Sequence, residues 1–214
     1  IQVIREVAEK QKSTLYLAGD QFTYEQIQVN KDGQKLHFSG PFRELDVELT
    51  LQGKHQCANA AGALMTLEVL RQYMAFYMEE EDLQKGFRLA SWAGRFEKVS
   101  DEPLLILDGA HNPEGAEMLA QSIKDLYPER KLILMMGMLE NKHHKSYFEH
   151  ILPLVDTLIL TEPDFRRKMD AAQLKNMVEE LRPSYAKPNL DIIVEPSWKQ
   201  ALSLLKLRTE AEDL

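Results

Sequence analysis

The chain has 214 residues, 44% hydrophobic and 28% charged, with a formal net charge of −8; that fits one large folded domain or two small ones. Its longest apolar runs, such as Leu104–Leu107, Lys131–Met136 and Asp156–Leu160, fall far short of the roughly 20 residues a membrane span needs. The single cysteine, Cys57, allows no internal disulfide and points to a reducing, cytoplasmic compartment, while the acidic balance argues against a general nucleic-acid binder.

The chain opens at Ile1 directly in a helical pattern, Gln2–Gln11, without an initiator methionine or a signal-peptide pattern. It stops at Asp213-Leu214 without an end signal, so a piece of a longer protein is expected. Strands are predicted over Thr14–Leu17, Thr23–Val29 and Lys35–Phe38. They are punctuated by Ala18-Gly19-Asp20 and by Asn30-Lys31-Asp32-Gly33, a hairpin turn signal. Glu44–Leu51 sets Leu45, Val47, Leu49 and Leu51 on one face, the period of a half-buried strand. Helices are predicted over His55–Tyr73 and Glu80–Ser91.

From Pro103 onward the rhythm changes. Four short apolar runs, Leu104–Leu107, Leu132–Met136, Thr157–Leu160 and Leu190–Val194, each precede a helical pattern. The helices are placed at Pro113–Leu126, His144–Leu152, Asp170–Leu181 and Ser197–Leu207. Such alternation predicts a parallel sheet covered on both faces, a Rossmann-like α/β domain, with a fifth strand expected where the chain ends. A short polar linker, within Trp92–Glu102, is the expected boundary. There is no internal repeat.

Three segments carry candidate chemistry. The turn Asp108-Gly109-Ala110-His111-Asn112-Pro113-Glu114-Gly115 follows an apolar strand and opens a helix. In open α/β sheets ligands bind at the carboxyl ends of strands. Asn112 suits an N-cap and Pro113 the first helical turn, leaving an anion-friendly end. Asp108 at the strand tip suits ribose hydroxyls or a metal, and His111 suits acid–base work near neutral pH. A capped β-α turn without function is the competing view, and no G-x-G-x-x-G fingerprint is present. In Gly53–Gly62, His55 and Asn59 lie four apart on one helix face, where Asn59 suits a base edge. Cys57, Ala61, Leu64 and Leu67 form a buried stripe, and Ala60, Gly62 and Ala63 keep the helix slim. A solvent-facing polar pair is the plainer alternative. In Gly94-Arg95-Phe96-Glu97, Arg95 offers a permanent cation and a fork of donors for phosphate, or else a surface ion pair with Glu97.

Other clusters carry less. His143, His144 and His150 lack the spacing of a metal site, because neighbours point apart and 144 to 150 is not one helical face. Glu79–Asp82 reads as a helix start favoured by the dipole, and Arg166–Lys168 as a solvent-facing loop patch. No G-x-x-x-x-G-K-[ST] loop occurs, so a principal phosphate cradle for ATP is expected elsewhere.

Together the strings GKHQCANAAGA, AGRFE and LDGAHNPEG resemble those of folylpolyglutamate synthase/dihydrofolate synthase in the Mur ligase superfamily. The likeness covers essentially the whole chain but only the second half of the family's length. MMGMLENKHH also resembles a family segment, although Asn141-Lys142-His143 departs from the usual form, closer to D-K-D. The resemblance implies residues 1–93 as the end of a central ATP-binding domain, 94–102 as linker, and 103–214 as a glutamate-ligase domain truncated at its end. It implies ATP-dependent ligation of L-glutamate to a folate or dihydropteroate carboxylate through an acyl phosphate, with ATP and Mg²⁺. Asn59 would contact adenine, Arg95 a nucleotide phosphate and Asp108 the ribose, while His111 would help position nucleotide or glutamate. The phosphate loop, the Mg²⁺ ligands and the family's modified lysine are expected outside this chain, which alone is expected to be inactive. Two alternatives stand beside this: a Mur-type ligase acting on another carboxylate, such as a cell-wall or cyanophycin precursor, and a non-catalytic Rossmann-like binding module.

Overall fold

A computed structural model describes residues 1–140, 143–210 and 213–214. The chain divides into two compact units, Ile1–Ser91 and Trp92–Leu214.

In the first unit, helix α1 (Gln2–Gln11) is followed by strands β1 (Thr23–Asn30), β2 (Gly33–Ser39) and β3 (Glu44–Leu49) in an antiparallel sheet of order β1-β2-β3. The first hairpin closes because Asn30 Oδ1 accepts the N–H groups of Asp32 (2.9 Å) and Gly33 (3.1 Å), mimicking a backbone turn. Alternation then fixes the register. Leu36 faces Val47 and Phe38 faces Leu45, all four buried. Helix α2 (Lys54–Met74) covers that face with Cys57, Ala60, Ala61, Leu64 and Met65. Gly62 plays no part in this packing, since a Cβ there would meet nothing within 4 Å. Helix α3 (Glu80–Leu89) begins with a capping box between Glu79 and Asp82.

The expected strand Thr14–Leu17 does not form; the residues that follow make only an isolated bridge, Ala18 to Phe22. The Leu17 carbonyl accepts the N–H groups of Asp20, Gln21 and Phe22 instead, so a turn satisfies its backbone.

The second unit runs β4 (Glu97–Asp101), β5 (Leu104–Leu107), α4 (Pro113–Leu126), β6 (Leu132–Met136), α5 (His144–Ile151), β7 (Val155–Glu162), α6 (Ala171–Tyr185), β8 (Asp191–Ser197) and α7 (Trp198–Arg208). Strands β6, β7 and β8 form a parallel sheet in that order. Both faces of the central strand are covered. Leu158 and Leu160 pack into a cluster with Phe148, Ile151, Leu174 and Val178 of α5 and α6, while Ile159 meets Ala201 and Leu205 of α7. This is the mixed α/β, Rossmann-like arrangement that the apolar runs predict.

Two features differ from the expectation. Part of the polar stretch expected to be linker is strand β4, paired antiparallel with β5 (Glu97 to Leu107, Asp101 to Leu104). Strand β5 is hydrogen-bonded to β4 and not to the parallel sheet. Where a fifth strand is expected, Lys131 and Asp213 form an isolated parallel bridge.

Candidate active site

Two loops of the second unit are tied together by backbone geometry. The first is Gly94–Glu97, whose Gly94 (φ 70°) and Phe96 (φ 48°) lie in the left-handed region on either side of Arg95. For phenylalanine that conformation is strained by about 1–2 kcal/mol. Burial holds it, because Phe96 is 6% exposed and stacks on Tyr127 with ring centroids 6.4 Å apart. The Glu97 carboxylate accepts the Gly94 N–H at 2.8 Å, so it closes its own loop rather than forming the ion pair with Arg95 that sequence offers as the plainer reading.

The second loop is Asp108–Asn112. The Gly109 N–H donates to the Gly94 carbonyl at 2.7 Å, and Asp108 Oδ2 accepts the Phe96 N–H at 2.8 Å. Asp108 Oδ1 accepts the Ala110 N–H at 2.7 Å. The approach is tight: a Cβ on Gly109 would stand 3.3 Å from the Gly94 carbonyl oxygen and 3.9 Å from Arg95 Nη1. Arg95 and Asp108 therefore belong to one surface, and both are exposed.

His111 shares that surface. Its Nδ1 lies 2.8 Å from the Gly109 carbonyl, which can only accept, so in the neutral ring Nδ1 carries the proton and Nε2 is the acceptor. Asn112 caps α4 as its residue type predicts, with Oδ1 accepting the Gly115 N–H at 2.7 Å and Pro113 at the first helical position. A Cβ on Gly115 would sit 2.8 Å from that oxygen, so the cap requires glycine there.

Beneath these loops lies a residue that sequence reasoning did not single out. Tyr147 of α5 is 2% exposed, and burial pushes its phenol well above the ordinary range, with the negative charge of Asp108 adding to the effect. Only its place on the apolar face of α5 signals it in sequence.

Asn59 sits in the first unit, on α2. It is exposed, and its Nδ2 donates to Gln56 Oε1 at 3.1 Å. The turn leading into α2 is held by two glutamines that sequence reasoning also passed over. Gln34, 4% exposed, donates to the carbonyls of Leu51 (2.6 Å) and Gly53 (3.0 Å) and accepts from the Cys57 thiol at 3.3 Å. Gln52 donates to the Asn30 carbonyl at 2.9 Å. The signal for Gln34 is its register, because it shares the inward row of β2 with Leu36 and Phe38.

Three members of the remaining clusters have structural partners. His144 Nε2 bonds the Leu139 carbonyl at 2.9 Å. Lys168 stands 2.6 Å from Glu162 and holds that carboxyl below its ordinary range, and Arg167 lies over the Phe165 ring. Asn141 and Lys142 lie outside the described residues. Among the described residues no group of three or more His, Cys, Asp or Glu side chains could hold a metal ion, and no helix is long and apolar enough to cross a membrane.

The family model described as "Mur ligase, glutamate ligase domain" matches residues 94–214. The chain belongs to the Mur ligase family. The match starts at Gly94, so both tied loops, with Arg95, Asp108 and His111, lie inside the Mur ligase domain, and Asn59 lies before it. Among curated relatives, the chain is 27% identical over 194 residues to the dihydrofolate synthase/folylpolyglutamate synthase of Bacillus subtilis, covering 90% of this chain and 45% of that protein. It is 30% identical over 149 residues to the folylpolyglutamate synthase of Lacticaseibacillus casei, covering 70% and 32%. Among solved structures, it superposes on the folylpolyglutamate synthase of Thermotoga maritima with a TM-score of 0.78 at 27% identity, covering 98% of this chain and 46% of that one. Escherichia coli FolC, solved with DHPP and ADP, matches at a TM-score of 0.81 and 25% identity, covering 99% and 46%. This Mur ligase chain thus spans less than half the length of these relatives.

Proposed function

We propose that the chain is part of an ATP-dependent ligase that joins L-glutamate to a folate or dihydropteroate carboxylate through an acyl phosphate. The observation that carries this reading is the joining of the Arg95 loop to the Asp108 turn, by the Gly109–Gly94 and Phe96–Asp108 bonds, within the matched Mur ligase domain. Residues 1–93 contribute the end of an ATP-binding domain, and 94–214, with strand β4 inside it, form the glutamate-ligase domain. A cytoplasmic setting belongs to the same reading, with which the free, buried Cys57 is consistent.

Each residue has a role its geometry allows. The exposed Arg95 guanidinium, a planar fork of donors, takes a nucleotide phosphate. Asp108 uses one lone pair of each oxygen on backbone N–H groups and has others for ribose hydroxyls. Asn59 takes the adenine edge, at the expense of its bond to Gln56. His111, with Nε2 as acceptor, positions the nucleotide or the amino group of glutamate. Mg²⁺ would shield phosphate charge during transfer; the described residues offer no cluster of ligands for it, so no residue here is assigned to the ion.

The test is ATP-dependent incorporation of labelled glutamate into dihydropteroate or tetrahydrofolate by a protein carrying this chain together with a phosphate-binding loop. Activity is expected, with Arg95→Ala lowering kcat/KM by at least 100-fold, and the isolated chain is expected to be inactive with weak or no ATP affinity. Absence of glutamate transfer to either acceptor overturns the substrate assignment, and robust ligation by the isolated chain overturns the division of labour.

A further inference from the structure

A cavity of about 440 Å³ in the second unit has mostly apolar walls, with Phe96, Ile106 and Met136 among them. Of the described residues that line it, only Asp108 and Tyr147 carry a polar side chain. In a pocket of this kind the few polar groups set the orientation of what is bound. Both stand at the carboxyl edge of the strands, Asp108 directly after β5 and Tyr147 in the first turn of α5, which follows β6. That edge is where open α/β sheets take their ligands.

Tyr147 is 2% exposed, and its ring meets the buried Phe148 ring edge to face with centroids 5.9 Å apart, so the core fixes where the hydroxyl lies. Buried hydroxyls ordinarily find a hydrogen-bond partner. Among the described residues the Tyr147 hydroxyl has none. Asp108 spends one lone pair of each oxygen on the Phe96 and Ala110 N–H groups and keeps the rest. Burial and the negative charge of Asp108 keep the phenol protonated, so it has a proton to share.

The pair makes a narrow demand on a bound group, which must donate to Asp108 and accept from Tyr147. A phosphate or carboxylate oxygen is repelled by Asp108 and offers it no proton. An ammonium satisfies the carboxylate but cannot accept from the phenol. An aliphatic hydroxyl does both through one oxygen atom. We infer that Tyr147 is a nucleotide-binding residue that seats one ribose hydroxyl, with Asp108 accepting from that hydroxyl and Tyr147 donating to its oxygen. This role rests on the nucleotide reading of Asp108 proposed above and adds to it a preference for ribose over deoxyribose. A sugar lacking the hydroxyl leaves both groups unpaired, which is how a site built on hydrogen bonds rejects an analogue.

The test is calorimetric titration with ATP, 2′-deoxy-ATP and 3′-deoxy-ATP of a protein carrying this chain together with a phosphate-binding loop, with and without Tyr147→Phe. The unsubstituted protein is expected to bind ATP about fivefold or more tighter than one of the two deoxy forms. Tyr147→Phe is expected to weaken ATP about three- to tenfold, the scale of one neutral hydrogen bond, and to leave that deoxy form within about twofold. Its Tm is expected to hold or rise, because the hydroxyl gives up no protein partner. Equal affinity for all three nucleotides before substitution, an unchanged ATP affinity after it, or a loss equal for all three overturns the assignment, as does a Tm that falls by several degrees. Glutamate transfer is measured separately, and its absence would sink the ligase reading alone; absence of any nucleotide binding sinks both.

Discussion

Asp108 Oδ2 accepts the Phe96 backbone N–H at 2.8 Å, while Oδ1 of the same carboxylate accepts the Ala110 N–H at 2.7 Å. One side chain thus fixes the loop before the strand pair and the turn after it. Asp108 is exposed, so Asp108→Ala is expected to destabilise the second unit by about 1.5 kcal/mol, the low end of the range for hydrogen bonds to a charged group. Asp108→Asn, retaining one acceptor, is expected to lose less. Urea denaturation of the two variants checks the order; equal losses would mean that only one of the two bonds matters.

Glu68 of α2 is 1% exposed and lies between two cations, with Arg43 Nε 3.1 Å from one oxygen and Arg71 Nη2 2.7 Å from the other. Removing Glu68 leaves two cations that keep 18% and 29% of their side-chain exposure, so the loss falls below the roughly 3–5 kcal/mol of a fully buried pair. Glu68→Ala is therefore expected to shift unfolding of the first unit by several degrees, well beyond Glu6→Ala on the exposed face of α1. Replacing Glu68, Arg43 and Arg71 together by apolar residues is expected to recover part of the loss.

On the outer face of the small sheet, His37 Nδ1 lies 2.7 Å from Asp46, and Nε2 lies 3.2 Å from Glu44. The Asp46 hydrogen bond raises the imidazole above its ordinary range, and the His37 bond lowers the Asp46 carboxyl. The histidine contribution is fully present below its unfolded pKa of about 6.5 and is lost as pH rises through the folded value. The aspartate contribution is present above about 3.9 and is lost as pH falls through its depressed value. Their shared window is about pH 4 to 6.5. His37→Gln is expected to flatten the stability profile between pH 6 and pH 8.5, measured as Tm against pH; an unaltered slope there would count against the pair.

Cys57 is 1% exposed, and burial pushes its thiol above the ordinary range. Its thiolate is the reactive form, so alkylation by iodoacetamide at pH 8 is expected to be at least tenfold slower than in urea. Loosening its partner with Gln34→Ala is expected to close much of that gap. A native rate equal to the denatured one would contradict the burial.

Local chemistry is what the sequence made legible. The Asn112 cap, Pro113 at the first helical position, and the turn at Asn30–Gly33 follow from side chains acting on backbone groups one to three residues away. The apolar runs of β6, β7 and β8 are equally plain, because burial on both faces leaves no polar position. Strand β4 was not visible: Glu97-Lys98-Val99-Ser100-Asp101 has no apolar alternation, and pairing with β5 makes it a strand. Phe96 was invisible for a related reason, since the Tyr127 ring that holds its backbone lies 31 residues away. Arg95, Asp108 and His111 were picked from sequence, and their common surface in the second unit depends on that same distant packing.

The left-handed backbone at Phe96 has a consequence for recognition. Its strain is met by the ring's packing when the second unit folds, so the main chain around Arg95 is arranged in the free protein. Under the proposed phosphate role of Arg95, association requires little further ordering of main chain, and the entropic penalty falls mainly on the arginine side chain itself. Relaxing the anchor, as in Phe96→Gly, would leave the same cation present but make its geometry something each encounter has to find.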